Sequence, residues 1–164
     1  MIVPAKNLID QLILDIRNIA HDLSPPGLAM FGLFHAIDTY VSLLNDTGAI
    51  EIILAEAEGL GSDRIKLPEK EELALFRVIT QLIANTLKHA EATKIHIYFK
   101  VIGAELEIGY MDNGKGFEPK ILQERKGIGM QNIISRLQMI NASHTLETSA
   151  GKGFKIDIRL SLLN

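Results

Sequence analysis

Near the N-terminus, apolar positions recur in alternating steps of three and four residues: Ile2, Ala5, Ile9, Leu12, Ile16, Ile19 and Leu23. That spacing is a heptad seam on a single helix over residues 3–24. Leu8, Ile13 and Ala20 widen the stripe towards bundle packing, and Pro25-Pro26-Gly27 ends the helix. A helix this apolar needs a partner. It is expected to be half of a helical hairpin or a dimer contact, and the chain to be a cut fragment.

The pattern then changes several times. Residues 28–44 read as a second helix, closed by Asn45-Asp46-Thr47-Gly48, and 49–55 as a short strand. Pro68 followed by Glu69, Glu71 and Glu72 marks a helix N-terminus, where proline fits and acids complement the dipole. This helix is expected to run to about Ala90. Residues 94–101 and 105–111 alternate across Gly103 as a β-hairpin, and 144–149 and 154–162 form another across Gly151-Lys152-Gly153. Between the hairpins, 117–126 is polar and irregular, and 127–141 is helical in pattern. Paired strands between isolated helices imply an α+β fold: a two-layer sandwich with helices on one face of a mixed sheet. The domain is expected to span 27–164, with 1–26 as the C-terminal part of a helical hairpin.

Composition narrows the function. The 164 residues, 47% of them hydrophobic, suit one globular domain with an appended element. The formal charge of −3 and the lack of a basic cluster argue against a nucleic-acid partner. With no cysteine, disulfides, thiolate nucleophiles and cysteine zinc sites are excluded. No apolar run approaches the ~20 residues of a membrane span, and the N-terminus lacks a signal-peptide pattern. A soluble intracellular piece is expected.

Two stretches carry candidate chemistry. On the helix after Pro68, Gln81, Asn85, Lys88 and His89 fall on one face at steps of three and four, opposite Leu75, Val78, Ile79, Leu82, Ile83 and Leu87. Amides beside Lys and His suit phosphates and a hydrated Mg²⁺, which takes oxygen ligands and keeps several waters. A solvated helix face has the same pattern. Downstream, Asp112-Asn113-Gly114-Lys115-Gly116-Phe117 is a strand end entering a glycine turn. A carboxylate beside such glycines can accept a hydrogen bond from an amine-bearing ring, although Asn-Gly alone also signals a tight hairpin turn. A P-loop reading fails because Gly116 stands where Ser or Thr is needed, and an EF-hand reading fails because Gly114 replaces an oxygen ligand. Gly127-Ile128-Gly129-Met130 opens a helix and can cradle phosphate, but Asn132 replaces the third glycine of a dinucleotide fingerprint.

Taken together and in this order, these stretches resemble the ATP-binding domain of sensor histidine kinases, within the Bergerat-fold ATPases shared with gyrase, Hsp90 and MutL. Residues 77–90 are similar to that family's N box, 112–117 to its G1 box and 127–136 to its G2 box. Residues 16–33, with His21-Asp22-Leu23-Ser24-Pro25 and Gly32-Leu33, resemble the junction helix of the nitrate-sensor and desaturase-regulator class.

The resemblance implies ATP and Mg²⁺ as cofactors. Asp112 would accept the adenine amine, Asn85 would hold Mg²⁺, and Lys88 and His89 would lie near the phosphates. Gly114, Gly116, Gly127 and Gly129 would allow close backbone approach and hinge a lid over 118–126, with Met130 beside them. Gly151 and Gly153 would border the adenine pocket. It also implies γ-phosphoryl transfer to a histidine outside these residues, a response-regulator partner, and a homodimer through the N-terminal helix. The domain would be cytoplasmic, within a protein attached to the bacterial inner membrane by other segments.

Three departures from the family pattern stand out. Gln81 replaces the usual Glu, so water-directed ATP hydrolysis is expected to be poor. Phe154 replaces the Thr after the last glycine. His21 is too close to the ATP-binding domain to be the phosphoacceptor. A serine kinase of anti-sigma type and a non-catalytic signalling module are the competing readings.

Overall fold

A computed structural model describes residues 27–56, 67–118 and 128–163. In chain order these form α1 (Leu28–Asp46), β1 (Glu51–Glu56), α2 (Glu69–Asn85), a π turn (Thr86–Ala90), β2 (Lys94–Ile102), β3 (Glu105–Asp112), α3 (Ile128–Met139), β4 (Ser143–Thr148) and β5 (Phe154–Ser161). The expected helix over 3–24, with His21 and the proposed dimer seam, lies outside the described residues.

The five strands make one mixed sheet in the order β1-β2-β3-β5-β4. β1 runs parallel to β2, and every other pair is antiparallel. Strict alternation sends Ile95, Ile97 and Phe99, then Leu106, Ile108 and Tyr110, then Ile156, Ile158 and Leu160, to one buried face. α2 lies in the middle of the helical layer, between α1 and α3. Its Leu75, Val78, Ile79, Leu82 and Ile83 are at most 2% exposed. Each such side chain contributes about 1.5–3 kcal/mol by leaving water, so α2 presents a fully buried apolar face to the core. The α+β sandwich read from the sequence is the fold observed.

α1 has the length and apolar composition of a membrane-crossing helix, beyond what the run of residues suggested. Here it is broken and packs one face into the core. Gly32, at φ 81° and ψ 177°, breaks it, and Leu33, Ala36, Ile37, Val41 and Leu44 are buried. Where the helix restarts, the Leu33 N–H donates to the carboxylate of Glu72 on α2. Burial pushes the Glu72 carboxyl up, and this bond partly offsets the shift.

The outer face of the sheet is polar and paired with itself. Tyr98 lies across Gly109, where an added Cβ would come within 1.9 Å of the ring. The Tyr98 hydroxyl donates to Asp157 Oδ1 at 2.8 Å, and Glu107 bonds Arg159 Nε at 3.0 Å.

Candidate functional site

The sheet register sets out the first half of the site. Asp112 pairs with Ile95 on one side and Phe154 on the other, and Phe154 pairs with Thr148. Asp112 ends β3 on the buried face at 4% exposure. Both its oxygens are satisfied: the Thr86 hydroxyl donates to Oδ2 and the Gly114 N–H to Oδ1, each at 2.8 Å. Thr86 is also 2.6 Å from the Tyr110 hydroxyl, which is 3.2 Å from the Leu82 carbonyl. Burial, with the charge of Asp112 adding to it, pushes the Tyr110 phenol well up, so it stays protonated.

The chain after Asp112 does not fold back as a hairpin. It is pinned at successive points. Asn113 Oδ1 accepts the Thr93 and Lys94 N–H groups at 2.9 Å, and Lys115 N–H donates to the Ala90 carbonyl at 2.8 Å. Gly151 N–H reaches the Lys115 carbonyl at 2.6 Å. The Thr148 hydroxyl donates to Gly153 O at 2.9 Å and accepts Phe117 N–H at 3.2 Å. Phe117 stacks on Phe154 with centroids 6.0 Å apart.

The need for glycine here comes from the chain itself. A Cβ on Gly114 would lie 2.5 Å from the Ala90 carbonyl, on Gly116 2.1 Å from that of Ser149, and on Gly153 2.2 Å from that of Asp112. Gly116 and Gly153 also have φ of +57° and +74°. Gly151 sits in open space at its rim.

The second half is the end of α2 with the start of α3. Gln81 Nε2 donates to Asn85 Oδ1 at 3.0 Å, and both side chains are half-buried. Gly129 lies over this pair: a Cβ there would be 3.2 Å from Asn85 Oδ1 and 3.4 Å from Gln81 Nε2. Past Asn85 the helix widens into the π turn, and Lys88 and His89 project from it exposed. Met130, the next residue of α3, packs half-buried against the core. The turn ends at Glu91 in the left-handed region, whose carboxylate meets Lys115 Nζ at 2.6 Å.

The structure therefore gathers the named residues into two groups. Asp112, Gly114, Gly116, Gly151 and Gly153 form one, and Gln81, Asn85 and Gly129 the other, with Lys88 and His89 at its edge. Gly127 and the lid beyond Glu118 lie outside the described residues. Thr86, Tyr110 and Thr148 belong to the site but were not singled out from sequence. For Thr148 a signal existed: the hydroxyl that Phe154 removes from β5 is supplied on the register-paired residue of β4.

The donor set suits a nucleotide with a hydrated cation. Among the described residues no three His, Cys, Asp or Glu side chains cluster as metal ligands. A cation here would rest on the Asn85 amide oxygen and on the phosphates.

Known proteins resemble this chain in sequence and in fold. Residues 70–164 match the family described as histidine kinase-, DNA gyrase B- and HSP90-like ATPase. The chain is 30% identical over 147 residues to the sensor histidine kinase ComP of Bacillus subtilis (strain 168), covering 89% of this chain and 19% of that protein. It is 29% identical over 150 residues to an uncharacterized sensor-like histidine kinase of Chloroflexus aurantiacus, covering 88% and 25%. The chain thus spans a quarter or less of the length of these relatives. Among solved structures, the histidine kinase domain of the Erythrobacter litoralis EL346 blue-light activated histidine kinase superposes with a TM-score of 0.67. That match covers 94% of this chain and 72% of that one at 16% identity, so it speaks for the fold.

Proposed function

Since the chain belongs to the family of histidine kinase-, DNA gyrase B- and HSP90-like ATPases and carries its ATP-binding domain, we propose that it is the catalytic end of a two-component sensor histidine kinase. In this reading 27–164 binds Mg-ATP, and 1–26 ends a dimerisation hairpin. The γ-phosphoryl passes to a histidine outside these residues and then to a response-regulator aspartate. The domain works in the cytoplasm, with any membrane anchor elsewhere in the protein.

The observation that carries this reading is the buried Asp112 carboxylate, held by two donors at the end of β3 beside a self-packed glycine loop. A fixed buried acceptor suits the exocyclic amine of adenine and penalises a carbonyl in its place. Asn85 would hold the cation through its amide oxygen, while Lys88 would supply positive charge and His89 an N–H donor to the phosphates. Bound Mg²⁺ would neutralise phosphate charge. Phosphoryl transfer needs positioning and charge compensation more than covalent help, and these side chains provide that.

Gln81 favours transfer over hydrolysis. Its amide donates to Asn85 Oδ1 and has no basic site with which to take a proton from water. A non-catalytic module is the weaker alternative, because Asn85, Asp112 and the glycines are all in place. A serine kinase of anti-sigma type would not need the apolar helix read over 3–24.

Calorimetric titration with a non-hydrolysable ATP analogue, with and without Mg²⁺, tests the reading. Magnesium-dependent binding is expected, at least tenfold weaker in Asp112→Asn and much weaker for the guanine analogue. No binding at millimolar nucleotide would leave a signalling scaffold as the better account.

A further inference from the structure

A carboxylate is not by itself selective for adenine. Freely rotating, it can also accept the ring N–H and exocyclic amine of guanine, since each of its oxygens has two acceptor positions. Selectivity therefore depends on what holds the carboxylate still. Here the Gly114 N–H occupies Oδ1 from the loop side, and the Thr86 hydroxyl occupies Oδ2 from the helix side. All of these groups are buried, with Thr86 at 4% exposure and Tyr110 at 1%.

Proton counting fixes the direction of the chain. An ionised carboxylate only accepts, so Thr86 spends its single hydroxyl proton on Asp112. The 2.6 Å contact between Thr86 and Tyr110 must then carry the Tyr110 proton towards Thr86. Tyr110 is held protonated by its burial, so it can serve as that donor. The Leu82 carbonyl, 3.2 Å away, is the other acceptor within reach of that one phenolic proton, but it already accepts the Thr86 backbone N–H, so the shorter contact to Thr86 takes the proton.

We propose that Thr86, backed by Tyr110, is a specificity-determining positioning residue: it fixes the Asp112 carboxylate so that one acceptor position meets the purine edge, and so sets the preference for adenine over guanine. The proposal rests on the nucleotide-binding reading above and assigns that site a residue outside its glycine boxes. Thr86 does not touch the base in this scheme. It acts through Asp112.

The test compares the affinities of non-hydrolysable ATP and GTP analogues, with Mg²⁺, for the unmodified protein, Thr86→Val, Thr86→Ser and Tyr110→Phe. Valine keeps the shape and removes the donor. With Thr86→Val the adenine-to-guanine affinity ratio should contract by about tenfold or more, because adenine binding weakens while guanine binding holds or improves. Thr86→Ser keeps the hydroxyl and should restore most of the ratio. Tyr110→Phe should contract it by less and gives the readout if the valine variant does not fold. A merely structural role would weaken both nucleotides alike and leave the ratio unchanged in Thr86→Val and Tyr110→Phe, which would overturn the proposal. Absence of ATP-analogue binding by the unmodified protein would remove the nucleotide reading and this proposal with it.

Discussion

The two halves of the site, proposed above as its base end and its phosphate end, are built by opposite means. At the base end, Asp112 is buried, both its oxygens are bonded, and the following loop is tied to Ala90, Thr93, Lys94 and Thr148. At the phosphate end, Lys88 and His89 are exposed on a π turn, and Gln81 and Asn85 share one hydrogen bond. In the proposed reading the difference follows from what each end recognises. Telling one base from another needs an acceptor at a fixed position, because a hydrogen bond fails over a few tenths of an ångström or a poor angle. Compensating phosphate charge needs only nearby cations, since Coulomb attraction falls off slowly and tolerates movement. Hydrogen bonds and close packing are concentrated at the end where, in that reading, geometry carries the information.

That contrast is broken most severely at Gly116. Alanine there would strain a backbone at φ +57° and push a Cβ to 2.1 Å from the Ser149 carbonyl. The obstacle is main chain on both sides, with Gly153 O at 2.7 Å, so no side chain can swing aside. Gly116→Ala is expected to destabilise the domain by about 2–4 kcal/mol and to abolish selective adenine binding. Urea unfolding and nucleotide titration check this. A variant of unchanged stability and affinity would mean that the loop is far softer than its packing indicates.

Gly129 is the matching test at the phosphate end. A Cβ there would press on the Gln81–Asn85 amide pair from 3.2 and 3.4 Å, but those atoms are tips of side chains that can turn. Gly129→Ala is therefore expected to change stability by less than about 1 kcal/mol. It should weaken Mg²⁺-dependent ATP-analogue binding several-fold while leaving the adenine-to-guanine ratio intact. A change in the ratio instead would join the two ends more tightly than the structure does.

How much of this was legible in the sequence follows the same division. Every described α-helix and strand was legible, because turn residues, alternation and the 3.6-residue repeat are local properties, and Asp112, Asn85 and the glycines stood out as motifs. Thr86, Tyr110 and Thr148 did not. Thr86 and Tyr110 bond partners 26 and 24 residues away, Thr148 bonds Phe117 at 31 residues as well as Gly153 at five, and each reads locally as an ordinary helix or strand residue. The π turn was also hidden, since the sequence continues its helical pattern to Ala90 while the backbone widens after Asn85. The break at Gly32 was written as a glycine, but its capping by Glu72 depends on α1 packing against α2. The glycines were read as making room for a ligand. The structure shows that Gly114, Gly116 and Gly153 make room for the chain, a requirement that only the folded loop discloses.

The smallest effect belongs to an ion pair that joins the π turn to the glycine loop, Lys115 with Glu91. The hydrogen bond from Lys115, and then its charge, hold the Glu91 carboxyl below its ordinary value of 4.5. A lowered folded-state value means that the pair favours the fold above that pH, and that this contribution is lost as pH falls through the lowered range. Both side chains are more than half exposed, so water and salt screen them. The joint itself rests on the Lys115 N–H bond to Ala90 O, which any residue at 115 except proline can make. Lys115→Met should therefore raise the Glu91 midpoint towards 4.5 in an NMR titration, leaving the melting temperature at neutral pH and the adenine-to-guanine ratio unchanged. A fall in that ratio approaching the one expected for Gly116→Ala would place the order of the base end in a surface charge pair, and the contrast between a densely bonded end and a sparsely bonded one would no longer hold.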